Sequence, residues 1–164
     1  MALARGKRAL SKDFAVRLGT ARDRGFITDL GRRTISSSAS SVRSATASSL
    51  EGSYLRLVDF IYTQPHVLLV AHDPQRPLGF LALLDELPDE VSEAPQGFIA
   101  YMAVEEDVRR SHIASALLAR AEEIARERGL PALALMVTEE NDGARELYAR
   151  AGFVTERRLL VKTL

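Results

Sequence analysis

The chain contains no cysteine, which excludes disulfides, thiolate metal ligands and a cysteine nucleophile. Nor does it contain an apolar run approaching the roughly 20 residues that cross a bilayer, so no membrane span is expected. Its opening, MALARGKRALSKDF, is basic but has no apolar h-region, and the expectation is a cytoplasmic protein without a signal peptide. Neither sign of charge dominates: Lys plus Arg and Asp plus Glu are equal at 22. No global field therefore argues for a nucleic acid or a membrane surface as partner. No His and carboxylate residues fall at metal-ligand spacing, and no Ser-His-Asp set can be defended, so no metal is expected. His66 and His72 flank an apolar run and read as structural. One absence is local. Between Arg76 and Arg109 there is no Lys or Arg, whereas Asp85, Glu86, Asp89, Glu90, Glu93, Glu105, Glu106 and Asp107 are all acidic. Such a stretch either steers a cationic amine towards the middle of the sheet or is a solvated loop around Pro88 and Pro95.

What is present is the material of one globular domain. At 164 residues with 46% hydrophobic content, the chain is long enough for a sizeable core and too short for two ordinary domains. Residues 1–12 carry Arg5, Lys7, Arg8 and Lys12 and no acid. With no aromatic side chains interleaved to stack on bases, they read as a solvated basic arm, and residues 13–164 as the domain. Alternation of Phe14, Val16 and Leu18 predicts a first strand. Thr20 is placed to cap a helix running to about Thr34 with Phe26, Ile27 and Leu30 inward. Ser36 to Ser49, rich in Ser and Ala, cannot bury enough apolar surface to order itself and reads as a mobile loop. From Leu50, the spacing of Tyr54, Leu57, Val58 and Ile61 predicts a second helix. Val67 to Ala71 and Leu78 to Leu84 are strands separated by DPQRP, apolar enough to be covered on both faces.

The chain is organised around residues 98–129. Phe98 to Val104 reads as a buried strand, Glu105 to Asp107 as an acidic turn, and Arg109 and Arg110 as the opening of a helix. Its apolar stripe is Ile113, Leu117, Ala121 and Ile124, widened by Ala114, Leu118 and Ala125. Ser111 is placed to cap it, Gly129 to end it and Pro131 to forbid continuation. Two cations at a helix N-terminus, where backbone N–H groups lack partners, make an anion site, with phosphate the obvious guest. The rival reading is a solvated pair answering Glu105 to Asp107. Leu133, Leu135 and Val137 then form a strand. Asn141 caps a last helix whose face is Ala144, Leu147, Tyr148 and Ala151, and Gly152 ends it. Phe153 to Leu164 supplies a closing strand or a pair of short ones.

Two separated stretches carry a resemblance. Met102-Ala103-Val104 followed by Arg109-Arg110-Ser111-His112-Ile113-Ala114 is similar to the apolar-x-Val strand end and the (Arg/Gln)-x-x-Gly-x-(Gly/Ala) loop of the GNAT N-acetyltransferase superfamily, with His112 where the family has glycine. Asn141, Ala144, Leu147, Tyr148, Gly152 and Phe153 match its second signature, Asn-x-x-Ala-x-x-Leu-Tyr-x-x-x-Gly-Phe, in full. The fold so implied is α/β (α+β): a mixed, mostly antiparallel central sheet flanked by helices on both faces. The activity implied is transfer of an acetyl group from acetyl-CoA to a primary amine of a small molecule or peptide, by direct attack in a ternary complex.

On this resemblance the backbone of Met102, Ala103 and Val104 pairs with the pantetheine arm, while Arg109, Arg110, Ser111, His112, Ile113 and Ala114 hold the pyrophosphate. Histidine tolerates a left-handed backbone better than most residues. His112 then either keeps the loop open to phosphate or only caps and packs. Tyr148 matches the residue that protonates the leaving thiolate, against the plain reading of a packed tyrosine, and Asn141 is a CoA contact or merely a cap. Where many relatives carry a basic carboxylate, this chain has Ala100 and Tyr101; Glu86 is the remaining candidate base. The loop at 36–49 corresponds to a connection that borders the acceptor site, and either orders on substrate or is an inert linker. A non-catalytic acyl-CoA-binding or sensing module is the alternative function, and a domain that binds only a partner protein a third. The acceptor is not legible, and a homodimer is left open.

Overall fold

The computed structural model describes residues 13–164; the basic arm at 1–12 lies outside the described residues. Five strands form one sheet in the order β1 (Ala15–Leu18), β2 (His66–His72), β3 (Pro77–Leu84), β4 (Gly97–Val104) and β5 (Leu133–Leu135). The first three pairings are antiparallel and β4–β5 is parallel. Helices α1 (Arg24–Thr34) and α2 (Ala47–Thr63) lie between β1 and β2 in the chain, α3 (Ile113–Glu127) between β4 and β5, and α4 (Asp142–Arg150) after β5.

Strand period decides which helix covers which face. Val67, Leu69 and Ala71 of β2 and Leu81 and Leu83 of β3 face α3 and meet Ile113, Leu117, Leu118, Ala121 and Ile124. The alternate residues Leu68, Val70, Phe80, Ala82 and Leu84 face the other way, onto Ile27 and Leu30 of α1 and Tyr54, Val58 and Ile61 of α2. Leu147 and Tyr148 of α4 join the α3 side. Both faces are thus covered, which is why these strands are continuously apolar rather than alternating. Each fully buried leucine contributes about 2 kcal/mol by removal from water.

Two local devices hold α1 in place. The Tyr54 hydroxyl donates to the Ile27 carbonyl at 2.7 Å, and a Cβ at residue 31 would stand 1.7 Å from the Tyr54 ring. Only glycine allows this approach of α1 to α2. At its start, Thr20 and Asp23 form a reciprocal capping box, and Arg17 of β1 donates to both oxygens of the buried Asp23 carboxylate at 2.7 and 2.8 Å. That pairing holds Asp23 at a pKa of about 2, below the usual carboxylate range.

Four sequence expectations are corrected. Thr20 caps a 3-10 turn, Ala21–Asp23, that leads into α1, not α1 itself. The segment 36–49 is partly regular: Ile35–Ser38 is a 3-10 turn, and α2 begins at Ala47 under a Thr46 cap, three residues before Leu50. The strand after α3 ends at Leu135, leaving Val137 outside. Phe153 to Leu164 forms no strand. Val154, Leu159 and Leu160 have the composition of one but are more than four-fifths exposed, because strand propensity needs a partner edge to express itself.

Candidate active site

The site begins with an extra residue in β4. Leu83 pairs with Ile99 but Ala82 pairs with Tyr101, so Ala100 is a bulge. A bulge bends its strand and re-aims the residues beyond it. Ile99 faces α3, Ala100 and Tyr101 both face α1 and α2, and beyond them Met102 and Val104 return to the α3 side while Ala103 keeps the other. Pairing with β5 covers only Gly97 to Ile99. From the bulge onward β4 and the chain after β5 part, and Met102, Ala103 and Val104 present an edge that β5 does not take up. The end of the sheet is a fork.

A strained turn lies just past this fork. Glu105 is fixed by its N–H to the Leu78 carbonyl at 2.8 Å and by a two-bond pairing with Arg33 of α1 at 2.9 and 3.0 Å. After the 3-10 turn Glu106–Val108, Arg110 and His112 both adopt φ +64°. His112 therefore stands in the left-handed region that favours glycine, which is the conformational reason for glycine in the motif. The helix starts at Ile113, not at the arginines; Arg109 and Arg110 sit in the turn before it. Ser111 does not cap it either. Its hydroxyl donates back to the Val108 carbonyl and closes the turn. The N-terminus of α3 has no side-chain cap, so its first amides keep their donors.

Arg109 and Arg110 are exposed, and neither forms an ion pair among the described residues. The acids read as their partners are engaged elsewhere, Glu105 by Arg33 and Asp107 by Arg76. Much of the remaining acidic stretch is likewise compensated in space, Arg128 pairing with Asp85 and Arg157 with Asp89 and Glu90, while Glu86, Glu93 and Glu106 form no ion pair among the described residues. The lack of cations between Arg76 and Arg109 in the sequence is thus largely made up in space by arginines from elsewhere in the chain. Any steering field from these acids is correspondingly weakened.

Across the fork stands α4. The Asn141 side chain accepts from the Ala144 N–H at 3.2 Å, capping α4, and donates to the Ser37 carbonyl at 3.2 Å. Tyr148 is half-buried with its ring edge-on to Phe153, centroids 5.8 Å apart. Burial first, and then the neighbouring Tyr101, raise its phenol above the ordinary range, so it is a neutral hydrogen donor near neutral pH. Tyr101 is raised too, chiefly by burial. Its ring lies 4.9 Å from Tyr54 and 6.0 Å from Phe80, and its hydroxyl is 3.1 Å from Thr34 Oγ1. Sequence reasoning noted Tyr101 only as a missing carboxylate; the bulge that aims it gives no signal in composition or period.

The structure brings Met102, Ala103, Val104, the 109–114 turn, Asn141 and Tyr148 to one end of the molecule. It does not bring Glu86 there. Glu86 lies after β3 at the end where Leu84 pairs with Phe98, whereas Val104 pairs with Gly79 at the other, roughly 20 Å along the strand. His66 and His72 bond the backbone carbonyls of Gln64 and Asp73; His66 is at the Glu86 end of the sheet, and His72 is at the Val104 end but two strands from β4.

Comparison with known proteins agrees with this fold. A Pyrococcus furiosus protein assigned as an acetyl transferase superposes with a TM-score of 0.79 at 24% identity, over 93% of this chain and 100% of that one. The ribosomal-protein-alanine N-acetyltransferase of Brucella melitensis biovar Abortus 2308 gives 0.66 at 20% identity, over 92% and 99%. The enzyme AAC(6')-Iy, solved with the bisubstrate analog CoA-S-monomethyl-acetylneamine, gives 0.68 at 15% identity, over 93% and 98%. These likenesses establish a shared fold. No curated protein sequence matches significantly. The family model described as Acetyltransferase (GNAT) family matches residues 38–153, which span the forked strand, the left-handed turn and the helix of Tyr148, and the chain belongs to that family.

Proposed function

We propose that the protein is an acetyl-CoA-dependent N-acetyltransferase acting on a primary amine of a small molecule or peptide. The observation that carries this reading is the junction of the fork with the uncapped, left-handed start of α3. The free edge at Met102–Val104 accepts the pantetheine amides as an added strand. The turn from Arg109 to Ala114 takes the pyrophosphate, with amide donors from the helix start and two exposed guanidinium groups. The ligand of AAC(6')-Iy, a CoA conjugate, supports the same assignment.

Held in this way, donor and acceptor meet as neighbours and attack becomes effectively intramolecular. The amine nitrogen adds to the thioester carbonyl carbon, with a backbone N–H near Ala103 or Val104 steadying the oxyanion. As the C–S bond breaks, the Tyr148 phenol gives its proton to the thiolate and recovers one from solvent. The amine proton leaves to water. Glu86, at the far end of β3, takes no part in this scheme.

Thermal unfolding with and without acetyl-CoA tests the reading, because a ligand that binds only the native state raises the midpoint. A saturable rise is expected, together with amine-dependent thiol release. Binding without release for any amine would favour the non-catalytic sensing module. No shift at millimolar ligand would refute both.

A further inference from the structure

The last turn of α1 grips the chain on either side of the free edge of β4. At one end Thr34 Oγ1 donates to the Leu30 carbonyl at 2.9 Å, which leaves its lone pairs for the Tyr101 hydroxyl 3.1 Å away. At the other, Arg33 donates to both carboxylate oxygens of Glu105 at 2.9 and 3.0 Å. Between these points lie Met102, Ala103 and Val104. Tyr101 and Ala103 face α1 and α2, and Glu105 follows the same alternation. The helix thus holds the strand from behind, on the side opposite α3.

The two partners in this grip rest on unequal foundations. α1 is seated by the fully buried Leu30 and by Ile27, and by the close approach of Gly31 to Tyr54; Arg33 is aimed by a further bond from Nε to Asp29 at 3.0 Å. The turn after β4 has less beneath it. Val108 is partly buried against the α3-side core, Asp107 pairs with Arg76, and the Ser111 hydroxyl bonds within the turn itself. Its root is Glu105. The Glu105 N–H is bonded to the Leu78 carbonyl and its own carbonyl accepts from the Val108 N–H at 3.2 Å. Its side chain is 14% exposed, against 66% for Asp107. A carboxylate so shielded depends on its guanidinium, because removing one partner strands the charge of the other.

We propose that Glu105 and Arg33 are positioning residues for the pyrophosphate: their pairing fixes where the turn at 106–112 leaves β4, and so where its amides and Arg109 and Arg110 are presented. This assignment rests on the acetyltransferase reading above. Neither side chain touches the cofactor in it; both act through the turn, as a support that locks the groups making the contact. It differs from a general structural role in that breaking the pair loosens the turn and its ligand, and leaves the sheet as firm as before.

The test uses the whole chain as wild type, Glu105→Gln, Arg33→Ala, Arg33→Lys and Asp29→Ala, with two readouts. Calorimetric titration with acetyl-CoA should show a loss of about fivefold or more in Glu105→Gln and Arg33→Ala, as for charge-assisted bonds on a partly exposed pair. Arg33→Lys should fall between, and Asp29→Ala should bind as the wild type does. In the free protein, amide hydrogen exchange across 106–112 should quicken in the same two variants while β2 and β3 exchange as before. A second ligand separates the turn from the strand edge. S-acetylpantetheine has the arm but no pyrophosphate, and the rise it gives in melting midpoint should be the same in all five proteins. Faster exchange with unchanged acetyl-CoA affinity would show a turn that is held but not positioned for phosphate. Exchange that is unchanged, or faster throughout the sheet, would show a pair that does not act on the turn. Either overturns the proposal, as does an equal loss of S-acetylpantetheine binding. If acetyl-CoA does not bind the wild type, the acetyltransferase reading fails and the positioning role falls with it, while exchange across 106–112 still reports the pairing separately.

Discussion

The starts of α3 and α4 are built in opposite ways. At α4 the Asn141 side chain accepts from the Ala144 N–H, and at α2 Thr46 does the same for Ser49; both termini are satisfied by their own chain. At α3 the residue in the cap position, His112, has φ +64° and no side-chain bond. A left-handed residue cannot act as an ordinary N-cap, which needs an extended backbone. The helix with two cations before it starts without a side-chain cap, unlike α2 and α4. Under the proposed function, the difference separates a terminus closed by its own side chain from one open to the cofactor's phosphates.

Four sets of substitutions probe that difference. The largest effect is expected from Tyr148→Phe, on the capped helix: kcat should fall about 100-fold, the scale of a lost general acid, with the acetyl-CoA-induced rise in melting midpoint intact. Equal turnover would return Tyr148 to the core. Next, Arg109→Glu with Arg110→Glu should weaken acetyl-CoA binding about 10- to 100-fold, as for lost charge-assisted bonds, without changing the unfolding curve of the free protein. An unchanged affinity by calorimetry would mean the open terminus is not the phosphate site. Asn141→Ala should cost about 1 kcal/mol in denaturant unfolding, whereas a helix already secured by packing would show no loss. Smallest is His112→Gly. Glycine adopts the same backbone without strain, so affinity should stay within about twofold or tighten slightly, the unfolded chain gaining less than about 1 kcal/mol in entropy. A large loss would show that the imidazole itself contacts phosphate.

The sheet and α3 were legible because their signals are local. β2 and β3 are runs of mostly buried apolar residues, β4 is an apolar run that is largely half-buried, and α3 repeats Ile113, Leu117, Ala121 and Ile124 on one stripe. Gly129 and Gly152 sit at φ +68° and +89° at helix ends, as glycine after a periodic stretch suggests. The fork was not legible. An inserted residue such as Ala100 leaves composition and hydrophobicity unchanged and shows itself only when β3 is laid beside β4. Charge compensation was hidden for a similar reason: Arg157 and Asp89 are 68 residues apart, and Arg33 and Glu105 are 72 apart. The Ser-rich stretch reads as unstructured since it has no core to join, and its order comes from bonds to Thr138, Glu140 and Asn141, about a hundred residues on. Glu86 was chosen by sequence position near a strand end; antiparallel pairing sends that end away from the fork.

The bulge at Ala100 also resets parity. Along an uninterrupted strand, odd and even residues are committed to fixed sides for the whole length. Here Phe98 and Ile99 obey one assignment and Tyr101 to Val104 the reverse, so the half of β4 paired to β5 and the half proposed to meet the cofactor are read in different frames. Drawing Ala100 into regular pairing would merge the frames, turning Tyr101 and Ala103 towards α3 and Met102 and Val104 towards α1 and α2. Deleting Ala100 would do the opposite: every neighbour would keep its side, and only the bend would go. One alanine therefore lets β4 change direction at the fork while Tyr101 to Val104 each keep the side they now face.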